Sequence, residues 1–265
     1  ARAMGYTIGS YLRPYGFNLD FAPVADVNSN PQNPVIGKRA FSSDPNVAAA
    51  MVSAAVEGFH EAGMLCTLKH FPGHGDTGED SHAGTATTNQ TWEEMQAAAL
   101  LPFEAGIAAG ADVVMAAHIT TPNATKDGLP ASLSYTMLTE RLRGEMGFTG
   151  VICTDALEMK AISSHYAPAD AAVAALNAGA DILLMPADLC AAFEGVVQAV
   201  ETGAVAEERL NESVRRILTL KEKAGVPLET TAPAPAEEPA APETTEEAVP
   251  EKPSDRFGWL RAFWN

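Results

Sequence analysis

Between residues 69 and 82 the sequence reads KHFPGHGDTGEDSH, and three of the chain's six histidines fall inside this run. Asp76, Glu79 and Asp80 share it with Gly73, Gly75 and Gly78. His70, His74, Asp76, Asp80 and His82 are of the types that bind zinc. Two histidines four apart meet one metal when both lie on one face of a helix. Pro72, Gly73 and Gly75 prevent a helix there, so only loop ligands keep that reading open. A plain turn accounts for the glycines. It does not account for the crowding of Lys69, His70, Asp80 and His82. Proton transfer accounts for both. In an extended segment Asp80 and His82 can turn to one side, and a carboxylate on an imidazole Nδ1 leaves Nε2–H as a general acid near neutrality. This is the orienting half of a catalytic triad without its serine, and the glycines would let the loop swing.

Such groups need a rigid frame. Five apolar, β-branched runs recur at roughly forty-residue intervals: FNLDFAPV (17–24), MLCTLKH (64–70), DVVMAAH (112–118), GVICTDAL (150–157) and DILLMP (181–186). Helical spacing fills most intervals, at 45–62, 91–109, 138–146 and 169–178, with Gly63, Gly110, Gly147 and Gly179 as stops. Two more helices are predicted at 189–202 and 206–224. Strand–helix alternation of this kind predicts parallel strands with right-handed crossovers. Asp26, Lys69, His70, His118, Asp155 and Pro186 all fall at or just past the C-terminal ends of their strands. A (β/α)8 barrel gathers its chemistry at that face, whereas a doubly wound sheet would show a Gly-rich phosphate fingerprint, absent here. The fold expected is α/β, a (β/α)8 TIM-type barrel. Five of eight strands are legible, so the chain is expected to lack the first two, with an irregular eighth.

The 265 residues, 46% of them hydrophobic, suffice for one core. The expected domain runs over 1–225, followed by a Pro/Glu/Ala/Thr-rich linker at 226–256 and a short aromatic tail at 257–265. A composition so poor in apolar residues marks the linker as disordered. The formal charge is −17, and such a surface repels phosphate backbones, which argues against nucleic acid as a partner. No apolar stretch is long enough to span a membrane. Cys66, Cys153 and Cys190 are odd in number and far apart. Cys66 and Cys153 lie in apolar runs and are expected as buried hydrophobes rather than disulfide partners.

KHFPGHGDTGEDSH, FAPVADVNSNPQNPVIGKRAFSSDP and GVICTDALEMKAI, in this order, resemble the β-N-acetylglucosaminidase branch of family 3 glycoside hydrolases, over about residues 11–223. The resemblance implies a barrel and a retaining, two-step hydrolysis of terminal β-linked N-acetylglucosamine in peptidoglycan fragments or chitin oligosaccharides. It implies Asp155 as nucleophile, His82 as acid/base and Asp80 as the carboxylate that activates it. Lys69 and His70 match a pair that binds sugar hydroxyls, and Arg39 a hydroxyl-binding arginine. The branch departs from the usual pair of carboxylates in glycosidases. The family also has an Asp-x-Glu-Gly-Gly stretch at the end of its second strand, and none precedes Tyr11 here.

Several alternatives stay open. Family 3 β-glucosidases usually carry Trp after the nucleophile, where this chain has Ala156. A phosphorylase is compatible with a histidine acid/base, which does not repel phosphate. A wall-binding module that has lost catalysis would not need Asp155, Asp80 and His82, and a metal hydrolase would need ligands the spacing disfavours. The expectation is therefore a glycosidase with a carbohydrate substrate, no metal and no cofactor. A monomer, at the cell envelope or secreted, is favoured, with the cytoplasm as the alternative location.

Overall fold

The computed structural model describes residues 1–78, 84 and 86–227. Asp80 and His82 lie outside the described residues, as do the expected linker and tail apart from Val226 and Pro227. The chain divides into a unit Ala1–Val226 and a unit Pro227–Asn265, and the first holds every element below. In chain order these are α1 (Arg2–Leu12), β1 (Leu19–Asp20), α2 (Pro45–Glu61), β2 (Leu65–Phe71), β3 (Ala86–Thr87), α3 (Trp92–Ala97), α4 (Leu101–Ala108), β4 (Val113–Ala116) and β5 (Ile119–Thr120). A π-helix (Thr136–Glu145), β6 (Val151–Thr154), α5 (Lys160–Ser163), α6 (Pro168–Ala178), α7 (Leu189–Glu201) and α8 (Glu207–Lys223) follow.

β1, β2, β4 and β6 form one sheet in that order, and every neighbouring pair is parallel. A fifth run extends it, because Ile182 bridges Cys153 in parallel and the Leu157 amide donates to the Leu184 carbonyl. All five apolar runs thus lie side by side in chain order with helices between them, the pattern of a TIM-barrel-like α/β fold. Eight strands in a closed ring are not found among the described residues. Every residue of β2 is buried except Lys69, which is half-buried, as expected of a strand covered on both faces. Val52, Val56 and Phe59 of α2 pack on it with Phe103, whose ring meets Phe71 edge to face at 5.6 Å. α1 reaches α2 only because position 58 is glycine, where a Cβ would lie 2.0 Å from the Arg2 carbonyl oxygen.

Three local expectations differ. The helix predicted over 91–109 is two, since Pro102 brings no amide and can only sit in the first turn of a new helix. Pairing along 17–24 is confined to β1 and a bridge from Val24 to Lys69, with Pro23 supplying a carbonyl but no N–H between them. The 138–146 helix is the π-helix Thr136–Glu145.

The N-terminal ends of the strands are fastened by two carboxylates. Asp112 stands directly before β4 and Asp181 opens the fifth run, in the similar stretches GADVVM and GADILLM. Each accepts the amide of the neighbouring strand, Cys66 at 3.0 Å and Ile152 at 2.9 Å. Each also takes cations from α8. Lys223 contacts Asp112, while Asp181 receives Arg209 at 3.2 Å, Arg216 at 3.1 Å and Ser213 at 2.7 Å, with Arg143 at 2.5 Å from the π-helix. Burial pulls the Arg143 guanidinium down to about 10, against the opposing pull of Asp181. The Asp181 side chain is fully buried, so truncating it leaves three guanidiniums facing one another. Asp181→Ala is expected to cost about 3–5 kcal/mol in urea unfolding, whereas Arg216→Gln, at a more exposed partner, costs under about 1 kcal/mol.

Candidate active site

The C-terminal ends of the same strands hold the other cluster of charge. β2 ends in Lys69, His70 and Phe71, and Asp155 is the first residue after β6. The Asp155 amide donates to the Ala116 carbonyl at the end of β4, which fixes where its side chain leaves the sheet. Its Oδ1 accepts the Ala156 amide at 2.8 Å. Lys69 lies close enough to Asp155, Asp20, Asp26 and Arg39 for each charge to act on it. Burial and the Arg39 charge lower the Lys69 pKa, and the three carboxylates oppose that shift. Burial raises the pKa of Asp20, with Lys69 pulling it back. Asp155 itself is half-buried, within range of the Lys69 charge.

Behind this pair lies Asp26, completely buried. Its carboxylate accepts His70 Nδ1–H at 2.8 Å, the His70 amide at 3.2 Å and the His74 amide at 2.6 Å. Burial alone would raise its pKa. The His70 ring with its hydrogen bond and the His74 amide outweigh that and hold it below the ordinary carboxylate value. On the far side of the His70 ring, Arg39 Nη2 lies 3.1 Å from Nε2. Arginine can only donate, so Nε2 is an acceptor and the His70 proton sits on Nδ1. Arg39, His70 and Asp26 form one directed chain of hydrogen bonds.

His74 Nδ1 meets the Thr77 hydroxyl at 2.7 Å, and burial lowers its pKa. The segment 73–78 is held by Asn33, whose amide donates to the His74 and Thr77 carbonyls at 2.8 and 3.0 Å. Asn33 Oδ1 accepts the Val35 and Ile36 amides and so shapes the turn that presents Arg39. Gly75 packs flat on the chain there, since a Cβ would fall 1.8 Å from the Val27 carbonyl oxygen. Thr88 Oγ1 donates to Asp76 Oδ2 at 2.5 Å, and β3 pairs in parallel with β5. His118 is 1% exposed and bonds the Ala156 carbonyl through Nε2 at 2.9 Å and Ser132 through Nδ1 at 2.7 Å.

Lys69, His70, Arg39 and Asp155 are thus brought together. Asp80 and His82 lie outside the described residues. Asn33, Thr88 and Ser132 went unrecognised in the sequence, because a single Asn, Thr or Ser carries no spacing signal. Asp26 and His118 were placed on this face without a role, and their partners lie far away along the chain.

The chain matches the model of the glycosyl hydrolase family 3 N terminal domain over residues 1–220. It belongs to that family. The family 3 chain is 41% identical over 243 residues to beta-hexosaminidase A of Pseudoalteromonas piscicida, covering 84% of this chain and 41% of that protein. A family 3 beta-N-acetylglucosaminidase from Paenibacillus sp. superposes with a TM-score of 0.84 at 41% identity, covering 91% of this chain and 47% of the other. A beta-glucoside phosphorylase superposes at 0.82 with 31% identity, over 86% and 43% of the two chains. The family 3 chain spans less than half the length of these proteins. The branch that its motifs resemble and the names of the first two agree.

The depressed Asp26 carboxyl gives a pH signature. A group whose pKa is lowered on folding contributes stability above its ordinary value of 3.8 and loses it as pH falls through the folded value. Asp26→Asn is expected to cost about 3 kcal/mol at neutral pH. That penalty, followed by urea unfolding across pH, shrinks only below the ordinary carboxylate range.

Proposed function

We propose that this protein is a retaining exo-glycosidase that hydrolyses terminal β-linked N-acetylglucosamine. The observation that carries the reading is the half-buried Asp155, first residue after β6 at the C-terminal edge of a parallel sheet where β2 also ends in Lys69, His70 and Phe71. Asp155 attacks the anomeric carbon, the glycosidic C–O bond breaks, and His82 donates its proton to the leaving oxygen. Water then attacks the anomeric carbon as His82 takes its proton, the bond from that carbon to the Asp155 oxygen breaks, and both groups are restored. Asp80 orients and polarises His82. Lys69 and Arg39 donate to sugar hydroxyls, with Arg39 steadied by His70 and Asp26. A histidine acid keeps a second negative charge away from Asp155, which must stay ionised to react.

Peptidoglycan fragments or chitin oligosaccharides are the substrates proposed, and a setting at the envelope or outside the cell goes with them. The beta-glucoside phosphorylase of similar fold favours a second reading in which phosphate replaces water in the second step. Phosphate-dependent release of a sugar 1-phosphate would select it. For either reading, chromogenic aryl β-N-acetylglucosaminide and β-glucoside substrates are assayed with this protein. The amino sugar is expected to be cleaved preferentially, and Asp155→Asn to reduce turnover by roughly 10³-fold or more. An Asp155→Asn variant with undiminished turnover would remove Asp155 from the mechanism.

A further inference from the structure

At the opposite end of the sheet from Asp155, three side chains of metal-ligand type converge. His60 lies in the last turn of α2, Cys66 is the second residue of β2, and Asp112 directly precedes β4. Their ligand atoms all lie within 4.8 Å of one another. His60 Nε2 is 2.8 Å from Asp112 Oδ2 and 3.9 Å from Cys66 Sγ. Among the described residues, this is the group of three such side chains that meets at one point. On the active face, by contrast, His70 and His74 spend their Nδ1 atoms on Asp26 and Thr77.

We propose that His60, Cys66 and Asp112 bind a thiophilic divalent cation of the zinc class. Metal–ligand bonds of about 2.0–2.3 Å in a tetrahedron put ligand atoms about 3.3–3.6 Å apart. The observed 2.8 and 3.9 Å bracket that spacing, so small side-chain rotations suffice. The ligands sit on the end of a helix and the starts of two adjacent strands, which share one packed frame. The carboxylate is already oriented by the Cys66 amide on Oδ2 and by Lys223 on Oδ1. Such outer contacts fix ligand geometry in metal sites. A cavity of about 510 Å³, lined by Asp112, Phe148, Arg215, Arg216 and Lys223, opens beside the carboxylate. On binding, the cation replaces the His60–Asp112 hydrogen bond and displaces the thiol proton of Cys66 to solvent. The Lys223 cation on Asp112 and the burial that raises the Cys66 thiol both oppose binding, and the Lys223 side chain is 53% exposed, so it can turn outward. The site is independent of the glycosidase reading.

Co²⁺ titration of the full chain reads the site directly. The expected result is a near-ultraviolet sulfur-to-cobalt charge-transfer band with tetrahedral visible bands. Cys66→Ser should abolish the first, while Cys153→Ser and Cys190→Ser keep it. His60→Gln, at a side chain 28% exposed, should weaken binding about tenfold or more and keeps the test valid if Cys66→Ser does not fold. Lys223→Met, which removes the competing charge, should tighten it. A folded chain without the band, a band that survives Cys66→Ser, or an affinity unchanged in folded His60→Gln would each overturn the proposal.

Discussion

Asp26 is a carboxylate with no exposure to water, and its charge is balanced only by what surrounds it. Two backbone amides and one imidazole N–H converge on it, all from the chain that leaves β2. A buried anion held by several hydrogen bonds tolerates little displacement, because each lost bond exposes an uncompensated charge. The end of β2, the following Gly-rich segment and the His70 ring are therefore located relative to the segment after β1. Through the ring, Arg39 is located too. Lys69 then has its position set by the strand, within range of the Asp155 and Arg39 charges.

The same logic operates at the other pole. Asp112 and Asp181 each bind the amide of a neighbouring strand, and both accept cations from α8. A chain with formal charge −17 thus concentrates part of its scarce positive charge on two buried carboxylates. These contacts fasten the last helix across the strand starts and leave the C-terminal edge to chemistry. Parallel strands make this separation possible, because all of them start at one end and finish at the other.

Much of this was legible beforehand. The apolar runs, their spacing and the glycine stops gave the strand order, since burial on both faces demands continuous hydrophobic strands. Lys69, His70 and Asp155 stood at strand ends by simple counting. The helix interruption before Pro102 could have been read from proline's missing amide, but the apolar period across 91–109 masked it. The two-stranded sheet of Ala86–Thr87 and Ile119–Thr120 was not legible at all. Two-residue strands have no periodicity, and their pairing joins segments that only the larger fold brings together.

The amino-acid sequence by itself determined the repeating βα frame, the polar end of each strand and the residue types available for proton transfer and nucleophilic attack. These follow from local patterns, the period of hydrophobicity and the motifs that resemble family 3. The tertiary structure alone decided that Asp26 serves His70 and His74, that Asn33 ties the Arg39 turn to the glycine segment, and that His118 braces Ala156. It also decided that His60, Cys66 and Asp112 meet. Each of these contacts joins residues distant along the chain, and a hydrogen bond or ligand set depends on distances that only packing of the whole sheet and its helices can fix.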